Sequence, residues 1–346
     1  MPSLSTLRPA LVAGLFIALT ACGRPEAPEL YLEFTGETMG TGYTVRVSSP
    51  GALALDEAGR EELAHAIQAE LDLVNEKMST WRADSELSRF NQHDSTEPFP
   101  VSPETLLVFA AAQQVSEESG GAFDITVGPL VNAWGFGPQA VTGPPSDEEV
   151  AALKARIGYE KVHVDEAAGT VSKDDPAIYC DLSGIAKGYG ADRVADMLAE
   201  RDYDFMVEVG GEIRARGENH RGEPWRIGII NPGEDGQPTR GIVPLRNTGM
   251  ATSGDYRNVR LDADGTPYSH TIDPRTGRPV EHGLASATII HPSAMMADAY
   301  ATVLMVLGPE DGYEWALEMD LPVHLIHHDG DGFASRSTPA FEELYR

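Results

Sequence analysis

Phe205-Met206-Val207-Glu208-Val209-Gly210-Gly211-Glu212-Ile213 and, after a turn-rich interval, Trp225-Arg226-Ile227-Gly228-Ile229-Ile230 decide the fold class. Phe205–Val209 and Trp225–Ile230 are both β-rich runs, and no helical pattern separates them. Further β-rich runs lie at Ile178–Leu182, His270–Ile272, Ala285–Ile290 and Val323–Ile326. Tyr31–Val47 reads as a strand pair around Met39-Gly40-Thr41-Gly42. Helical patterns occupy Glu61–Met78, Ala186–Arg201, Ala294–Leu307 and Pro309–Met319. In the first of these, Leu63, Ile67, Leu71, Val74 and Met78 form one apolar stripe. A further helix opens at Ser102-Pro103. Another opens on the capping box Ser146-Asp147-Glu148-Glu149 and runs through Ile157. Strands and helices do not alternate strictly, which excludes a doubly wound parallel sheet. The expected class is α+β, with mixed or antiparallel sheets and flanking helices.

The 346 residues carry 54 Asp+Glu against 26 Lys+Arg, a formal charge of −28. A nucleic-acid binder needs a basic face, and this composition offers little to build one from. Hydrophobic residues at 41% are sufficient for a real core. Gly 35 and Pro 24 imply many tight turns and places where backbone approaches a ligand closely.

The N-terminus reads as a targeting segment. Arg8 precedes the apolar run Ala10–Leu19, which is too short to span a bilayer and suits a secretory signal. The run ends Leu19-Thr20-Ala21-Cys22-Gly23, which resembles a bacterial lipobox with Cys22 as the lipidated residue. Several acyl chains there anchor a protein stably. The expected organisation is a signal peptide over 1–21, a tether over 22–29 and one domain over 30–346. With Cys22 lipidated, Cys180 has no partner for a disulfide and reads as a small buried hydrophobe.

Several known chemistries are absent. There is no G-x-G-x-x-G fingerprint, no Walker A, no G-x-S-x-G elbow and no H-E-x-x-H. His324, His327 and His328 read as a strand end and its turn, and Asp262-Ala263-Asp264-Gly265 as a hairpin turn. What stands out is six segments that set hydroxyls, small residues and an acidic group among apolar neighbours. They are Phe123–Leu130, Asp181–Gly190, Val207–Ile213, Ala251–Tyr256, Ser269–Pro274 and Met296–Thr302. Polar groups in such surroundings cost free energy unless they bind something.

Asp298 and Thr302 are four apart on a predicted helix and share a face. A carboxylate and a hydroxyl are hard oxygen ligands that suit Mg²⁺, although spacing alone favours a helix that buries Thr302 and exposes Asp298. Gly184 and its neighbours can add a backbone carbonyl. Lys187, just inside a predicted helix N-terminus, offers an anion site. His270 lies in a polar motif within a predicted strand, and an imidazole suits a general base at neutral pH. Read from the residues alone, this is a Mg²⁺-assisted site for a phosphate-bearing ligand.

The segments MGTGYTV, MSTWRADSELSRFN, FDITVGPLVNAWGFG, DLSGIAKGYGADRVA, VEVGGEIRARG, ATSGDYRN, SHTIDPRTGRPV and ADAYATVLMVLG resemble the ApbE family, the FAD:protein FMN transferases. The resemblance runs from about Met39 to Gly308, with the motifs in family order. It implies that a Thr or Ser hydroxyl of an acceptor protein attacks the FMN-side phosphorus of FAD and that AMP leaves. It implies His270 as the base, and Mg²⁺ on Asp298, Thr302 and the Gly184 carbonyl. FAD would lie against Met39, Trp81, Asp124, Lys187 and Ile272, with Asp181 and Ser253 nearby. Trp81 stands where the family often has Tyr, and Gly184 is near where it often has Ala. The family implies a lipoprotein on the periplasmic face of the bacterial inner membrane. It also implies exported acceptors such as subunits of the Na⁺-pumping NADH:quinone oxidoreductase (Nqr) or of the Rnf complex. Gly23 is not the Asp that often signals inner-membrane retention. Two other readings stand beside it: a Mg²⁺-dependent FAD pyrophosphatase on the same site, giving FMN and AMP, and a non-catalytic flavin-binding lipoprotein, which would not need His270.

Overall fold

Eight strands form the central sheet, and they stand in it in chain order. They are β1 (Leu32–Thr38), β2 (Thr41–Val47), β3 (Phe205–Val209), β4 (Glu212–Arg216), β5 (Thr248–Gly254), β6 (Leu284–His291), β7 (Val323–Asp329) and β8 (Gly332–Ser337), and every neighbouring pair is antiparallel. The structure is a computed structural model and describes residues 30–137, 141, 143–230, 238–254, 259–261, 267–330 and 332–344. Cys22, the predicted signal and tether, Asp255-Tyr256 and Asp262–Gly265 lie outside the described residues.

Of four long helices, α1 (Glu57–Met78), α2 (Pro103–Glu118), α3 (Ala186–Glu200) and α4 (Ala294–Glu318), α1, α3 and α4 pack on one face of the sheet, and α2 packs against α1, α4 and strand Val162–Asp165. The stripe Leu63, Ile67, Leu71, Val74, Met78 is buried as its spacing demands. It meets Val45, Val47 and Val207 of the sheet and Ala191, Val194 and Leu198 of α3. The helix begins at Glu57, earlier than its apolar pattern, because Asp56 caps it through the Gly59 N–H. The helix opening at Asp147 ends at Lys154, short of Ile157. Two expected helices join end to end in α4, with a kink at Gly308 (φ 85°) just before Pro309. The opposite sheet face is covered by the hairpin Trp225–Ile230/Pro238–Leu245, whose Trp225, Ile229, Val243 and Leu245 pack with Ile213, Ala215 and Met250. Covered on both faces, Leu284–Ile290 of β6 is buried at every residue.

Two expected strands are corrected. Ile178–Leu182 is not a strand: its backbone is satisfied elsewhere, so no ladder forms. Asn91 bridges the Cys180 N–H and C=O, Lys173 Nζ donates to the Ile178 carbonyl, and the Asp181 N–H donates to the Ile125 carbonyl. His270 is not within a strand either. It sits between strand Pro267–Ser269 and the short hairpin Ile272–Asp273/Arg278–Pro279.

α3 and α4 hold each other's N-termini. α3 has no side-chain cap of its own, and Asp298 of α4 accepts from the Gly188 N–H at 3.0 Å. In return, Asp192 of α3 accepts from Ser293 Oγ and from the Ala294 and Met295 N–H groups at the start of α4. Each carboxylate satisfies orphan amides and sits at the positive end of the other helix. The close crossing needs glycine: a Cβ on Gly188 would stand 2.2 Å from the Ala294 carbonyl oxygen. Below the crossing, Glu212, Arg214 and Arg216 of β4 face α3. They pair in turn with Lys187, with Asp192, and with Ala199 O and Asp202 at the helix C-terminus. That order of charge opposes the helix dipole at both ends.

Candidate active site

Two adjoining clefts open beside the N-terminus of α3. The first, about 300 Å³, is lined by Asp124, Asp181, Gly184, Lys187, Ser253, His270, Ile272, Asp298 and Thr302. The second, about 590 Å³, is lined by Met39, Trp81, Asp181 and Lys187, among others. Asp181, Ser183 and Lys187 belong to both. Every site residue expected within the fold therefore lines one space, although the residues are spread over 264 positions of chain, from Met39 to Thr302. Each cleft is within the usual size range of a ligand site.

Asp298 is only 1% exposed, whereas Thr302 is half-buried, the reverse of what their spacing alone favoured. The reason is the capping role above, which draws Asp298 into the helix crossing. Thr302 Oγ1 donates to the Asp298 carbonyl at 3.3 Å. Gly184 passes beside it: a Cβ there would be 3.4 Å from Thr302 Oγ1 and 3.2 Å from the Phe123 ring. Among the described residues no three His, Cys, Asp or Glu side chains gather as a metal cluster. The donors available are a carboxylate, a hydroxyl and a main-chain carbonyl, which fits a hard cation that keeps part of its water shell.

Lys187 is not the open anion site expected of it. Its Nζ lies 3.4 Å from Asp298 Oδ1 and 3.4 Å from Glu212 Oε1. Burial would lower the ammonium, but Asp298 and then Glu212 outweigh burial and hold it above its ordinary value. Glu212, 3% exposed, was not expected in the site. Burial, with Asp298 adding, pushes its carboxyl up to about 8 against the pull of Lys187. Its Oε2 is buried with no hydrogen-bond partner among the described residues. The polar segment Val207–Ile213 contained it, but nothing in the spacing of 187, 212 and 298 tells that the three meet.

His270 is half-buried and held between fixed points. The Thr271 N–H donates to Ser269 Oγ, and the Thr271 carbonyl accepts from the Val280 N–H. Its ring stands edge-on to Phe136 at 6.1 Å, and Phe136 packs on Tyr268. Ile272 is buried with Leu130 and Trp134. Asp124 is less free than its sequence suggested. It accepts from the Thr126 N–H and Oγ and from the Tyr159 N–H, and burial raises its carboxyl above the ordinary value. Asp181 Oδ1 accepts from the Ser183 N–H, and half-buried Ser253 stands in β5 opposite Ala287. Met39 and Gly40 form the two-residue β1–β2 turn with φ of 48° and 73°. A non-glycine residue in that region costs about 1 kcal/mol or more, strain that recurs at functional sites. Trp81 is 73% exposed, an uncovered ring at the mouth of the second cleft.

Comparison with known proteins follows the same residues. The ApbE family model matches residues 39–325. Over 329 residues the chain is 45% identical to a FAD:protein FMN transferase of Vibrio cholerae serotype O1, covering 94% of this chain and 95% of that protein. It is 40% identical over 340 residues to a FAD:protein FMN transferase of Haemophilus influenzae, with 96% of each covered. The solved structure described as flavin transferase ApbE from Vibrio cholerae superposes with a TM-score of 0.82 at 45% identity, covering 90% of this chain and 98% of that one.

Proposed function

This chain belongs to the ApbE family, and from that we infer that it is a FAD:protein FMN transferase. We propose that it uses Mg²⁺, passes FMN to a Thr or Ser hydroxyl of an acceptor flavoprotein, and releases AMP. The observation that supports this most is the convergence of the oxygen donors, His270 and the uncovered Trp81 ring on two clefts joined at Asp181 and Lys187.

In this reading Asp298, Thr302 and the Gly184 carbonyl hold Mg²⁺, which when bound neutralises pyrophosphate charge and the charge developing on AMP. Trp81 and Met39 give FAD an apolar surface in the second cleft. Asp181 and Lys187 stand at the junction where a pyrophosphate would cross from one cleft to the other. His270 takes the proton of the acceptor hydroxyl, since a Thr hydroxyl is a poor nucleophile. The oxygen–phosphorus bond to FMN forms, and the bond from that phosphorus to AMP breaks. The trio Lys187, Glu212 and Asp298 has no net positive charge to offer an anion, so turnover depends strictly on a divalent cation. The proposed setting is the periplasmic face of the inner membrane, with Cys22 lipidated and exported acceptors of Nqr or Rnf type.

The test mixes residues 23–346 with FAD, Mg²⁺ and an Rnf-type acceptor domain, and weighs the acceptor intact. A gain of one FMN phosphoryl unit, absent with EDTA and with His270→Ala, supports the reading. Free FMN and AMP with unmodified acceptor would replace it by the pyrophosphatase. Transfer in excess EDTA would remove the metal from the mechanism.

A further inference from the structure

We propose that Glu212 is a positioning residue that takes the Lys187 ammonium off Asp298 when a divalent cation binds. The inference rests on the reading that Asp298 is a ligand of that cation.

The geometry is that of a shared proton donor. Lys187 Nζ is equidistant, at 3.4 Å, from Asp298 Oδ1 and Glu212 Oε1, longer than a tight ammonium–carboxylate contact. Asp298 Oδ2 is already engaged by the Gly188 N–H at 3.0 Å. Oδ1 is therefore the oxygen left for a cation, and Lys187 competes for it. Glu212 holds a second oxygen in reserve: Oε2 is buried and, among the described residues, without a hydrogen-bond partner. A buried carboxylate oxygen with no donor is costly to maintain, and an incoming ammonium removes that cost. When a cation occupies Oδ1, the ammonium moves from bridging two carboxylates to lying on both oxygens of one. The exchange forms and breaks no covalent bond.

Glu212 is placed for this role by the fold. It is the first residue of β4, after Gly210 and Gly211, whose φ values of 63° and 107° belong to the left-handed region. It points to the helix face of the sheet, the side from which α3 presents Lys187. Without Glu212, Lys187 would sit on Asp298 alone, and the site would be neutral toward a cation.

The experiment titrates the full domain with Mn²⁺ alone, without FAD, and follows free Mn²⁺ by electron paramagnetic resonance. Glu212→Gln keeps the shape but cannot ionise to receive the ammonium, and its Kd for Mn²⁺ should rise at least tenfold. Adding Lys187→Met in the Glu212→Gln background removes the competitor and should return the Kd to within about threefold of wild type, by restoring the same net charge. A packing role for Glu212 predicts no such rescue, because the second substitution only removes more contacts. Asp298→Ala separates the two layers of argument. If it binds Mn²⁺ as wild type does, the ligand assignment falls and this inference with it. If Asp298→Ala loses Mn²⁺ but Glu212→Gln keeps wild-type affinity, the inference alone is overturned. The same holds if Glu212→Gln weakens binding and Lys187→Met does not restore it.

Discussion

Replacing Gly188 by Ala tests how the site is assembled. A Cβ at this position would stand 2.2 Å from the Ala294 carbonyl oxygen, 2.6 Å from its carbonyl carbon and 2.8 Å from Asp298 Cβ. The first two are backbone of the facing helix and cannot rotate away. Ordinary contact begins near 3.4 Å, so α3 and α4 must separate by about 1 Å at the crossing. Alanine itself favours a helix over glycine by about 1 kcal/mol. Overpacking costs about 1–3 kcal/mol, and stretching the Gly188–Asp298 hydrogen bond removes a charge-assisted contact worth about 1.5–3 kcal/mol. The net expectation is a loss of about 1.5–5 kcal/mol, a fall of roughly 2–8 °C in Tm. Because Asp298 moves with α4, a misplacement of this size should also lower FMN transfer by about a hundredfold. Gly190→Ala is the control on the same helix. Its Cβ would meet the Met39 methyl at 2.7 Å, the far end of a flexible side chain that can swing aside. That variant should stay within about 1 kcal/mol of wild type. The assays are thermal unfolding and Mn²⁺ affinity on both variants, and transfer rate on Gly188→Ala. If Gly188→Ala melts with wild type and keeps its cation affinity, the tight crossing does not position Asp298.

Three further outcomes are expected. Glu212, held at about 8 in the fold against an ordinary 4.5, binds its proton more tightly folded than unfolded. Its contribution to stability is therefore complete below about pH 4.5 and is lost as pH rises through 8. In EDTA the Tm of Glu212→Gln should rise relative to wild type from pH 5 to pH 8.5, and a constant difference would refute the burial argument. Asp192→Ala leaves Ser293 Oγ and the Ala294 and Met295 N–H groups without their acceptor. Unfolding in urea should show a loss of about 2–4 kcal/mol, and a loss below 1 kcal/mol would mean that water replaces the cap. In residues 23–346 Cys180 is the only cysteine. It is fully buried, and burial pushes its thiol well above the ordinary range. A thiol reagent should label it only after denaturation, and labelling of the native protein within minutes would show that this region opens.

Much of the fold was legible because it rests on local pattern. The apolar stripe of α1, the caps at Ser102 and Ser146, and the β-rich runs at Phe205 and Ala285 each report a period or a capping geometry that the chain carries within a few residues. Where local pattern failed, a distant group was the cause. Ile178–Leu182 has strand composition, yet Asn91 and Lys173 take up its backbone hydrogen bonds. His270 reads as strand, yet two hairpins meet there and free it from any ladder.

By itself, the sequence determined the α+β class, the family, and the residues from Met39 to Thr302 that gather at the clefts. The class is carried by local periodicity, whereas the family and the site residues are carried by contiguous motifs that resemble those of the ApbE family. Only the tertiary structure decided that Asp298 is buried while Thr302 is not, that Lys187 is shared between two carboxylates, and that Glu212 belongs with them. Those facts depend on α3 and α4 crossing at Gly188 over β4, and a crossing joins residues as far apart as 187, 212 and 298. Charge and burial at a site are set by what lies within a few ångströms in space, and no spacing along the chain encodes that.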